Sequence, residues 1–161
     1  MRLSPLPVAP EPVIDYQAAF WLPAAPREVW DTIERFDEFE SWWPWLRTFH
    51  ADRHGLVDGN VLHGTVVPPL PYRFHVTVRL VRCDRPQSIE ATVSGDLRGT
   101  ARLSLDASGD GTLAGVAWSL AMVRGPLRAA ALVAYPLVRW GHDRVVDTTV
   151  AGFRQHALAI R

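Results

Sequence analysis

Cysteine is nearly missing from this chain: Cys83 stands alone among 161 residues. No internal disulfide can staple the fold, and a reducing compartment suits it. An excess of charge is missing too, because seventeen basic residues balance seventeen acidic ones. The electrostatic footprint expected of a nucleic-acid or anionic-membrane binder is therefore absent. No apolar run is long enough to span a bilayer, since the most apolar stretch, 129–138, is interrupted by Pro136. The opening "MRLSPLPVAPEPV" holds four prolines and one basic residue, so no signal-peptide core forms there. Residues 1–13 are expected to be a flexible lead-in, 14–161 a single domain, and the protein cytoplasmic. A Gly-rich phosphate loop, a nucleophile elbow and a Cys–His pairing are all lacking, which leaves no organic cofactor and no covalent mechanism to expect.

What is present is apolar and aromatic. Hydrophobic residues make up 48% of the chain and charged residues 21%, a globular balance. Three of the seven tryptophans fall within "ESWWPWL", at Trp42, Trp43 and Trp45. Pro44 disfavours helical geometry at Trp43, so this cluster straddles a helix end and the entry to a strand.

Periodicity orders the rest. Residues 14–22 alternate, with Tyr16, Ala18, Phe20 and Leu22 on one face. Pro26 then opens a short helix over 26–35 whose stripe is Val29, Ile33 and Phe36. Asp37 and Glu40 have the spacing of a capping box for a second short helix. Strands follow at 46–53 and 60–67 around the turn Val57-Asp58-Gly59-Asn60. Over 72–82, Tyr72, Phe74, Val76, Val78 and Leu80 face one way. Ile89, Ala91, Val93 and Gly95 continue that face beyond a turn at 84–87, and Gly99, Ala101, Leu103 and Leu105 resume it. A three-residue loop, 96–98, would pair Gly95 with Gly99. A last strand, 112–123, carries Val116, Trp118, Leu120 and Met122. The chain closes on a helical stretch, 126–159, with an inner stripe of Val146, Val150, Phe153, Ala157 and Ile160. Pro136 should kink this helix and Gly141 should loosen it. Seven strands, two short helices after the first of them, and one long helix make an α+β fold: a curved antiparallel sheet around a C-terminal helix.

Residues 14–158 resemble the START-like helix-grip superfamily, SRPBCC, and among its members the bacterial polyketide cyclase/dehydrase type. The resemblance rests on "APREVWDTIERFDEFESWWPWL", "LPYRFHVTVRLVRCDRPQSIEATVSGDLRGTARLSL" and "RWGHDRVV". It implies a pocket between sheet and long helix, with the short helices closing one side. Members of that superfamily include lipid carriers, metabolite binders and aromatase/cyclases, so fold does not choose among activities.

Candidate site residues follow from facing positions. Trp42 is expected to pack and Trp43 or Trp45 to reach a cavity. The small residues Ala91, Gly95, Gly99 and Ala101 would leave volume opposite Leu132, Tyr135 and Val138. Tyr72, Phe74, Val93, Trp118 and Arg139 complete the expected ligand contacts. The stiff loop 67–72 suits the mouth. His142 is the candidate for proton transfer because its pKa lies near neutrality, with Tyr135 beside it. No metal site is expected: His50 and His54 flank Asp52 in a strand and loop, and no three or four ligands have suitable spacing. The reading is a binder of a small hydrophobic or aromatic, polyketide- or lipid-like ligand. The alternatives are an aromatase/cyclase- or dehydratase-type enzyme and a ligand-free protein-interaction module. Oligomeric state is not specified.

Overall fold

The computed structural model describes residues 11–158. The first ten residues of the expected lead-in, and the stripe position Ile160, lie outside the described residues. The first strand, β1, spans Val13–Leu22. Ile14 and Leu22 are buried on the face of this strand that carries Tyr16, Ala18 and Phe20.

Two short helices follow. α1, Pro26–Ile33, has proline in its first turn and buries Val29, Trp30 and Thr32. The chain then makes a 3-10 turn at Phe36–Glu38 and a single α-helical turn, α2, at Phe39–Trp42. The Asp37–Glu40 capping box does not form, because Asp37 lies inside the 3-10 turn and no side chain caps α2. Packing sets the geometry there instead: Phe36 meets Phe39 edge to face at 5.5 Å. Trp43 leaves the helix at φ −126°, ψ 101°, the extended geometry that Pro44 requires.

The remaining strands are β2 (Leu46–Ala51), β3 (Val61–Val66), β4 (Phe74–Asp84), β5 (Ser88–Gly95), β6 (Leu97–Ser108) and β7 (Gly111–Met122). They form one seven-stranded sheet in the order β1-β7-β6-β5-β4-β3-β2, antiparallel throughout. The register between β5 and β6 corrects one expectation. Val93, not Gly95, stands opposite Gly99. Gly95 instead takes φ +106° next to Val76 of β4 and turns the chain into β6. Parity survives, so odd-numbered residues of both strands still face inward.

α3 runs over Gly125–Gly152 and continues as a π-helical turn, Phe153–Ala157. The expected kink is present: Ala134, two residues before Pro136, has φ −143° and ψ 56°. Beyond the kink Val138, Val146, Phe153 and Ala157 are buried against the sheet side. The core falls into two clusters. One gathers Trp30, Phe39, Trp42, Leu105 and Phe153; the other gathers Ile14, Met122, Leu127, Ala131 and Val138. Side chains from both line the space between sheet and helix.

Candidate functional site: a cavity between sheet and helix

That space is a cavity of about 500 Å³, within the range of small-molecule sites. The strands contribute inward-parity residues, among them Phe74 from β4, Val93 from β5, Ala101 and Leu103 from β6, and Val116, Trp118 and Leu120 from β7. α3 adds Val138, His142, Val145, Val146, Thr149 and Val150, while Val29 and Ile33 of α1 close one end. Trp42 is buried at 3% exposure in the core, whereas Trp43 and Trp45 stand on the wall with their rings stacked at 5.8 Å. Tyr72 and Pro68 reach the wall from the proline-rich loop. That loop packs directly on the helix: a Cβ on Gly141 would meet Leu70 Cδ1 at 2.6 Å. Gly141 therefore serves close packing, and not looseness.

Three expected contacts lie elsewhere. Leu132 is 53% exposed and off the cavity wall. Tyr135 packs beside the second cluster, and its hydroxyl donates to Val13 O at 2.8 Å on the outside. Arg139 pairs with Asp143 at 3.3 Å and lies over the Tyr16 ring. For Leu132 and Tyr135 the cause is the break at Ala134; Arg139 lies beyond it, where the helix turns Val138 and His142 to the cavity instead. Projecting the inner stripe back through Pro136 assumes a uniform 100° per residue, and the non-helical dihedrals there break that phase. The residues overlooked, such as Val116, Leu120, Val145 and Thr149, share strand parity or helix phase with those named. Strand parity points to Val116 and Leu120, and helix phase to Val145 and Thr149.

The small residues behave differently from one another. Ala101 lines the cavity. Gly99 does not create volume, because a Cβ there would sit 1.8 Å from Ser119 O. Gly95 is equally tight, with His75 O at 2.5 Å. Both glycines exist for close backbone approach between strands.

The polar groups at the wall are mostly engaged within the protein. The Trp43 indole N–H donates to Thr149 O at 2.9 Å, and the Thr149 hydroxyl donates to Val145 O. The Trp118 indole N–H donates to His142 Nε2 at 3.0 Å. His142 is thus a neutral imidazole with its proton on Nδ1, 2.9 Å from Asp143 Oδ1. Tyr16 stacks on Trp118 at 4.8 Å and meets His142 edge-on. Two groups depart from this pattern among the described residues. Trp45 Nε1 is buried without a partner, and the Tyr72 hydroxyl has none either. Burial raises the Tyr72 pKa, so its hydroxyl stays protonated at neutral pH.

Burial lowers the His142 pKa, outweighing the opposing hydrogen bond and charge of Asp143. A folded-state value below the unfolded one means that the unfolded chain binds this proton more readily. The resulting stability is present above the ordinary value of 6.5 and lost as pH falls through the depressed one. Thermal melts from neutral to acidic pH should therefore show a midpoint that drops more steeply for wild type than for His142→Gln. Parallel profiles would mean that His142 does not titrate into its Trp118 contact.

An antiparallel sheet gripping a kinked helix over an apolar cavity defines the helix-grip class. The chain belongs to the family described as polyketide cyclase / dehydrase and lipid transport, whose model matches residues 14–158. Among solved structures it is similar to TTHA0849 of Thermus thermophilus. The two are 14% identical over 91% of this chain and 98% of that one, with a TM-score of 0.72. A START superfamily protein of Mycobacterium smegmatis is similar at 13% identity, covering 92% of this chain and 99% of that one, TM-score 0.66. The di-domain ARO/CYC protein BexL of the BE-7585A biosynthetic pathway is 16% identical, over 94% of this chain and 52% of its own, TM-score 0.66. At these identities the likeness is one of fold. No curated protein matches the sequence. Among the described residues no helix is long and apolar enough to cross a membrane.

Proposed function

We propose that this protein binds a small hydrophobic or aromatic molecule, polyketide- or lipid-like, in the cavity between sheet and α3. The observation that carries the reading is the state of the wall. About 500 Å³ is lined by aliphatic and aromatic side chains, while both nitrogens of His142 are engaged by Trp118 and Asp143. Apolar burial then supplies the affinity, at roughly 25 cal/mol per Å² removed from water. His142 offers no free nitrogen to accept a substrate proton, and the Tyr135 hydroxyl is engaged outside the cavity. The family description, which couples polyketide cyclases with lipid transport, supports the same class of ligand.

A cyclase- or dehydratase-type enzyme is the second reading, and one observation favours it. Tyr72 lines the cavity, and its hydroxyl is protonated and has no partner among the described residues. It can donate to a ligand carbonyl, either as an orienting hydrogen bond or as a general acid. Titration with an apolar fluorescent probe such as N-phenylnaphthylamine tests the first reading. Saturable binding should change tryptophan emission, since Trp43, Trp45 and Trp118 line the cavity; no binding would remove it. Once a natural ligand is in hand, Tyr72→Phe should cost a binder about 0.5–1.5 kcal/mol of affinity, the usual worth of one hydrogen bond. His142→Ala should likewise alter affinity only modestly. A turnover loss of about a hundredfold or more at either residue, with affinity kept, would establish the enzyme instead.

A further inference from the structure

The outer face of the sheet carries a second cluster, unconnected with the cavity. We propose that His50, Asp52 and His63 form a binding site for a divalent transition-metal ion of the zinc type. One ligand atom from each lies within 4.8 Å of the others. His50 and His63 stand directly opposite one another on β2 and β3, with parallel rings 4.5 Å apart. Asp52 Oδ1 is 2.9 Å from His63 Nε2.

A register shift creates this pairing. Arg47 faces Thr65, and regular alternation from there would set Phe49 opposite His63 and turn His50 inward. The shift between Arg47 and His50 reverses both. Phe49 goes to the core against Phe39 at 4.9 Å, and His50 comes out beside His63. Thr48 takes φ +50° within the shifted segment, a left-handed geometry uncommon for a β-branched residue. Burying Phe49 accounts for the shift, and the paired imidazoles are its consequence on the other face.

The groups behind the rings select the ligand atoms. His50 Nδ1 lies 3.4 Å from Thr48 O, and His63 Nδ1 lies 3.5 Å from Thr77 Oγ1. At His50 the Thr48 carbonyl favours the proton on Nδ1 and leaves the Nε2 lone pair for a metal. At His63, whose Nε2 donates to Asp52 in the unbound protein, Nδ1 has an oxygen beside it to receive the proton when Nε2 becomes a ligand. On binding, the ion takes His63 Nε2 and Asp52 Oδ1, and the proton that Nε2 now donates to Asp52 moves to Nδ1 on the Thr77 side, so the neutral ring releases no net proton. Two imidazole nitrogens and one carboxylate suit zinc, copper or nickel better than magnesium or calcium, with water completing the shell. Such an ion would tie the edge strand β2 to β3.

Isothermal titration of the tag-free protein with zinc chloride at neutral pH tests the site. One zinc per chain should bind saturably, and His50→Ala or His63→Ala should each weaken it by about tenfold or more. His54→Ala and His75→Ala should leave it unchanged. Zinc should raise the thermal midpoint of wild type but not of the double variant His50→Ala/His63→Ala. Cobalt substitution provides an independent reading through d–d absorption bands that the double variant should lose. Circular dichroism confirms that each variant is folded. Absence of saturable binding, binding that survives the double variant, or binding lost on His54→Ala would overturn the proposal.

Discussion

Phe153→Ala is expected to lower folding stability by about 3–5 kcal/mol, the usual cost of deleting a buried aromatic ring. Phe153 is 7% exposed and opens the π-helical turn at the end of α3. Its ring meets Trp42 edge to face at 5.7 Å, so it joins the long helix to α2. It also borders the cavity, so its removal enlarges a space that neighbouring side chains do not fill. Arg79 is exposed on β4, and Arg79→Ala should stay within about 0.5 kcal/mol. Urea denaturation of the two variants provides the comparison. Equal effects would mean that the inner and outer faces are wrongly assigned.

A second large effect separates space from close packing. Ala101→Phe adds a ring at the cavity wall and should abolish binding of the apolar probe. Its stability cost should not exceed the range of about 1–3 kcal/mol for ordinary overpacking, because there is volume to receive the ring. Gly99→Leu, two residues along the same face, should behave quite differently. Its Cβ would collide with Ser119 O at 1.8 Å, so β6 and β7 could not keep their pairing. Circular dichroism should show Gly99→Leu largely unfolded at temperatures where Ala101→Phe remains native. If Ala101→Phe unfolds as readily, the cavity is not available to a ligand.

The proposed zinc site and the cavity stand on opposite faces of one sheet and can fail separately. Loss of zinc binding in the double variant should leave probe binding intact, because neither His50 nor His63 lines the cavity. Ala101→Phe should conversely leave the zinc titration unchanged. Cross-talk in either direction would mean that one substitution disturbs the sheet as a whole.

Much of the architecture is legible in the sequence. Alternation over 72–122 identified which side chains face inward, since neighbouring residues of an extended chain point to opposite faces. Proline chemistry was equally local: Pro44 forced Trp43 out of helical geometry, and Pro136 marked the kink. From these came the sheet, the gripped helix and most of the cavity wall, including Trp43, Phe74, Ala101 and Trp118.

Tertiary structure decided what depends on partners distant in sequence. The phase of α3 before Pro136 follows from how the two helix segments dock, so Leu132 and Tyr135 left the expected wall, while beyond the kink Val138 and not Arg139 faces the cavity. Whether Gly99 makes room or fills a close contact depends on Ser119, twenty residues away on β7. The state of His142 is set by Trp118 across the cavity. His50 and His63 show no metal spacing along the chain, because a register shift in an antiparallel pair brings them together. Periodicity reports the dihedral preferences of each segment. Register, docking phase and hydrogen-bond partners arise only when segments compete for the same contacts.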